Sequence, residues 1–154
     1  MSPGRPDRVA INPDEGRAEH VGRLADGRQF FLTTPMLCPL DGVEVVRQFL
    51  ALYLFEASGK FLEARIDDFG PRETMDEKAW RVLYMKRLRE LGRVKFTRIV
   101  VEPFAVERFG ATFGLIARDL GEDGDEGLEG WTVEVMPGNY MAFFAPWDSG
   151  EYDT

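Results

Sequence analysis

The sequence predicts an α+β domain: a predominantly antiparallel sheet of about eight or nine strands, laid down as successive hairpins and packed with one long amphipathic helix over about residues 75–91. Three observations carry that expectation. Apolar and β-branched runs recur at strand length, several with alternating polarity. Turn pairs such as Asp26-Gly27, Ser58-Gly59, Gly110-Ala111 and Gly138-Asn139 separate them. One stretch, from Trp80 to Leu91, repeats its apolar residues at helical spacing.

Residues 1–18 carry Pro3, Pro6, Pro13, Gly4 and Gly16 among scattered charges, and read as a disordered or loosely attached leader before a single domain at 19–154. His20–Leu24 and Gln29–Thr33 flank Ala25-Asp26-Gly27-Arg28, a hairpin signal. A second hairpin joins residues 49–55 to 61–66 through Ser58-Gly59-Lys60; its first strand is apolar at nearly every position, as a strand covered on both faces must be. Thr74-Met-Asp-Glu77 fits a capping box, Trp80, Leu83, Tyr84, Leu88 and Leu91 make one apolar stripe, and Gly92 suits a left-handed cap. Residues 96–102 then read as one strand stopped by Pro103. Residues 105–109 and 112–117 bracket a third hairpin, and Trp131–Met136 with residues 140–146 forms the last, turning at Gly138-Asn139.

At 154 residues the chain fits one domain able to bury roughly 70% of its unfolded surface. The net charge of −8, from 27 acidic against 19 basic residues, disfavours nucleic acid and anionic membranes and suits a basic protein partner. Cys38 is alone, which excludes an internal disulfide and a thiolate metal cluster. Residues 1–20 lack an apolar signal core and no run approaches 18 apolar residues, so the expected location is the cytoplasm and no membrane partner is expected.

Gly22-Arg-Leu-Ala-Asp-Gly-Arg-Gln-Phe-Phe31, Leu52-Tyr-Leu-Phe55, Glu102-Pro-Phe104, Phe113-Gly-Leu-Ile116 and the ending Ala145-Pro-Trp-Asp-Ser-Gly-Glu-Tyr-Asp-Thr154 occur in that order. Together they resemble a group of small bacterial proteins often labelled as similar to the formate hydrogenlyase regulatory protein HycA. The resemblance implies a regulator and carries over no catalytic residues. The chain departs from that pattern by one extra residue in the ending and by a glycine-laden acidic loop.

Candidate chemistry is sparse. His20, the only histidine, reads as an exposed strand-end residue, without a Gly-x-Ser-x-Gly partner motif. Asp123, Asp125 and Glu129 take alternate positions of a calcium-type loop, with Glu134 at position twelve; Leu128 stands where an EF-hand needs glycine, so a weak cation site competes with a solvated loop. Asp67 and Asp68, near Glu63 and Arg65, suit either a small carboxylate-based enzyme or ligand pocket, or a salt-bridged strand end. No cofactor motif occurs. The last 24 residues hold two Trp, two Tyr and two Phe, so the tail belongs to the folded body. Phe144, Trp147, Asp148, Glu151, Tyr152 and Asp153 form its aromatic-acidic face, a candidate partner or homodimer surface. The leading expectation is a non-enzymatic protein-binding or regulatory module; an immunity-type protein masking a basic toxin and the Asp67/Asp68 ligand site are the alternatives.

Overall fold

The computed structural model describes residues 4–121, 130–138 and 141–154. Strands β1 (Val9–Ile11), β2 (His20–Leu24), β3 (Gln29–Thr33), β4 (Met36–Leu37), β5 (Arg47–Phe55) and β6 (Phe61–Pro71) precede helix α1 (Glu77–Glu90). Strands β7 (Val94–Phe96), β8 (Ile99–Val101), β9 (Phe104–Arg108), β10 (Ala111–Asp119), β11 (Trp131–Met136) and β12 (Met141–Phe143) follow it. The hairpin-built, sheet-dominated α+β class is therefore the one the turn signals predict. Among the described residues there are more strands than expected, several of them very short, while β5, β6 and β10 run longer than their apolar runs.

In the first sheet, β5 carries β6 on one edge and β3 with the short β4 on the other; β2 and β7 continue beyond β3. The second sheet runs β12-β11-β10-β9, and β1 pairs with β8. Each of these pairings is antiparallel.

β5 explains the layering. Every residue from Gln48 to Phe55 is buried, and successive side chains of a strand point to opposite faces. Phe49, Ala51, Tyr53 and Phe55 join Phe31, Phe113, Leu115, Val133, Val135 and Phe143 between the two sheets. Leu50, Leu52 and Leu54 join Phe30 and Leu32 on the other face, where Leu83, Tyr84, Leu88 and Leu91 of α1 pack. The order of layers is helix, sheet, sheet. Gln48, polar in this apolar strand, is satisfied because its amide donates to the carbonyls of Thr34, Pro35 and Phe49 at 3.3, 3.1 and 3.0 Å.

Three local expectations need correction. Val9–Ile11 lies in the segment read as a leader, yet it forms β1 and is at most 1% exposed. A three-residue strand between Pro6 and Pro13 is too short to register in composition; its burial comes from pairing with β8, nearly ninety residues away. Residues 96–102 do not form one strand: the chain breaks after Phe96, and β7 pairs with β2 while β8 pairs with β1. The helix starts two residues later than the capping box suggests. Asp76 is its N-cap, accepting from the Ala79 amide at 3.0 Å, while the Thr74 hydroxyl donates to the Pro71 carbonyl. Gly92 does follow the helix in a left-handed conformation, with φ of 75°.

The turn between β9 and β10 is Phe109-Gly110, with φ of 53° and 75°. Phe109 is a non-glycine residue held in left-handed space, its ring 5.7 Å from that of Phe49.

Candidate functional site

The aromatic-acidic tail is largely committed to the fold. The Trp147 carbonyl accepts from the Ala10 amide at 2.9 Å and the Gly150 carbonyl from the Asn12 amide at 3.0 Å. Asp153 and Ala142 exchange backbone hydrogen bonds of 2.8 and 2.9 Å. The tail thus joins β1 to the outer edge of β12. Trp147 and Tyr152 pack against the intersheet core, and the Tyr152 hydroxyl donates to Asp14 at 2.5 Å while accepting from the Arg17 amide at 3.2 Å. Burial alone would raise the Asp14 pKa; the Tyr152 hydroxyl, the Gly16 and Ala18 amides and the Arg17 charge outweigh it and lower it. Gly150 has φ of 79°, and a Cβ there would lie 2.4 Å from Asn12. Of the six tail residues singled out in the sequence, Phe144, Asp148, Glu151 and Asp153 are exposed, Trp147 and Tyr152 half-buried.

Asp67 and Asp68 are both taken up by arginines. Arg87 of α1 donates to both carboxylate oxygens of Asp67 at 3.2 Å, and Arg47 holds Asp68 at 2.6 Å. The first pair fastens helix to sheet. Neither aspartate lines any hollow described below.

A cleft opens instead at the other end of the helix. Trp80, one turn before Tyr84, lines three adjoining hollows. The outer one, about 460 Å³, lies between Arg17, Glu19, His20, Leu32, Thr33 and Thr34 on the sheet side and Trp80, Arg81, Tyr84 and Met85 on the helix. The inner one, about 280 Å³, shares Arg17, Thr33, Thr34 and Trp80 and adds Met36, Gln48, Arg72 and Gly138. A third, about 230 Å³, continues past Arg72 to Met75 and Glu77.

His20 sits in the outer wall, and its placement corrects the exposed strand-end reading: its side chain is 17% exposed. Nδ1 is hydrogen-bonded to the Tyr84 hydroxyl, Nε2 lies 4.0 Å from Glu19, and the ring meets those of Tyr84 and Phe96 at 5.3 and 5.4 Å. Burial lowers the His20 pKa, and Glu19 only partly opposes this. Burial also raises the Tyr84 pKa, with Glu19 adding to it. The pair is consequently uncharged at neutral pH and presents rings rather than charge.

Sequence reasoning missed this site because its walls come from residues 16–20, 32–36 and 72–85, with Gln48 and Gly138. The available signal was the aromatic pair Trp80 and Tyr84 four residues apart at the start of the stripe. Asp123, Asp125 and Glu129 lie outside the described residues. Among the described residues no group of three or more His, Cys, Asp or Glu is placed to hold a metal ion, and no helix is long and apolar enough to cross a membrane. Protein-family models, curated proteins and solved structures yield no match to this chain.

Proposed function

We propose that the chain is a non-enzymatic binding module whose site is the cleft between α1 and the first sheet, and that it takes a small molecule with an apolar body. The observation that carries this reading is the outer hollow. Its volume of about 460 Å³ lies within the range of small-molecule pockets, and Leu32, Trp80, Tyr84 and Met85 supply apolar and aromatic walls. Binding is favoured over turnover because the His20 Nδ1 is taken by the Tyr84 hydroxyl and, among the described residues, no serine or cysteine nucleophile lines the hollow beside it.

The lone histidine makes the test direct. A fragment set is titrated while the His20 imidazole resonances are followed by NMR, in the native chain and in Thr34→Trp, which fills the hollow from its half-buried rim. Fragments should shift His20 in the native chain and not in the folded variant. A set in which no apolar fragment moves His20 defeats the reading.

A second reading is supported by Phe144, 41% exposed, and by the exposed Asp148 and Glu151 of the same tail: a protein partner with a basic surface, either a regulatory target or a toxin masked by an immunity-type protein. Phe144→Glu should then abolish capture of one specific host protein; unchanged capture removes this surface.

A further inference from the structure

Resting on the cleft reading, we infer that the ligand is an amphipathic organic anion, with its carboxylate or phosphate in the inner hollow and its apolar body against Trp80 and Met85. The inner hollow is unusual for this chain. Acidic residues outnumber basic ones 27 to 19 overall, yet the inner walls carry Arg17, Arg72, Thr33 and Thr34 and, among the described residues, no carboxylate. Arg72 is the informative group. Arg47, Arg65, Arg81 and Arg87 each have a carboxylate within 4 Å, whereas no described residue forms an ion pair with Arg72. Its Nη1 instead rests 3.4 Å from the Met36 sulfur.

A guanidinium presents a fork of donors that matches a carboxylate or phosphate, and Thr34 lines the same hollow. The Gln48 amide is already spent on three carbonyls, so it does not supply the donors. The start of α1 does not supply the attraction either, because the Asp76 carboxylate already caps it. The charge preference is thus assigned to Arg72, and the shared Trp80 wall places headgroup and body side by side.

The test uses a matched pair of fluorescent probes, 1-anilinonaphthalene-8-sulfonate and its uncharged analogue N-phenyl-1-naphthylamine, on the full chain, with His20 NMR shifts locating them. The anionic probe should bind about tenfold or more tighter than the neutral one. Arg72→Gln should erase that advantage without changing affinity for the neutral probe, and Arg72→Lys should restore only part of it. Equal affinities, or an advantage that survives Arg72→Gln, overturn the anion inference while leaving the cleft reading intact. If neither probe moves His20, the cleft reading falls and the inference with it. Decanoate and decyl phosphate then compete with the bound probe: displacement by one names the headgroup, and displacement by neither overturns the inference.

Discussion

The two faces of the first sheet are covered differently. On one, Phe31, Phe49, Ala51, Tyr53 and Phe55 are each 0% exposed beneath the second sheet. On the other, Phe30, Leu32, Leu50, Leu52 and Leu54 are buried just as deeply, yet no residue of the covering helix is itself fully buried. The geometry of the covers accounts for this. Two sheets interdigitate over their whole area about 10 Å apart, whereas one helix about 10 Å wide covers a strip. Beside the strip a hollow remains, and the cleft at Trp80 is that hollow. The closed face is where this molecule keeps its stability, and the half-closed face is where it has room for a ligand.

Substitutions can break or sharpen this contrast. The largest effect belongs to the closed face: Phe49→Ala should cost about 3–5 kcal/mol, read as a lower denaturation midpoint. A loss below about 1 kcal/mol would show the intersheet core to be slack. Deleting residues 146–154 removes the Trp147 packing and the hydrogen bonds to Ala10, Asn12 and Ala142. That deletion should cost about 2–4 kcal/mol, less than a central phenylalanine because the tail is partly exposed. An unchanged melting temperature would free the tail to be a binding surface.

On the half-closed face the effects should be smaller. Tyr84→Phe leaves His20 Nδ1 without its partner and should cost about 1 kcal/mol, with the His20 resonances shifting as the ring reorients. The smallest effect is one of pH. Because the folded His20 pKa lies below its ordinary value, the unfolded chain takes up the proton first as pH falls. The contribution is fully present above about pH 6.5 and is lost as pH drops through the folded pKa. Urea midpoints at pH 7.5 and 5.5 should therefore differ more in the native chain than in His20→Gln. Matching differences would place His20 in water.

The hairpins were legible because their information is local. Asp26-Gly27 and Ser58-Gly59 sit between runs whose polarity pattern fixes the face, and β2, β3 and β5 fall where those runs lie. The double-sided burial of β5 was legible too, since a strand apolar at every position admits no solvent face. β1 was not, because three residues carry little pattern and their burial depends on β8 and on the tail; β8 was read as strand, but not its separation from β7. The helix start was off by two residues since Thr74 and Asp76 are both good caps; the tight turn at Arg72–Thr74 occupies the threonine hydroxyl and leaves the aspartate. The site was least legible. His20 and Tyr84 stand 64 residues apart, and only the packing of α1 makes them neighbours.

Phe109 shows what the closed face demands of its surroundings. Asparagine or glycine is the natural occupant of its left-handed position in the turn, and a bulky ring there works against the backbone. The ring instead lies over Phe49 at the end of the sandwich. Phe109 is still 53% exposed, so this connection covers one buried phenylalanine without sealing it, and recasting the loop by turn rules would exchange that ring contact for a relaxed backbone.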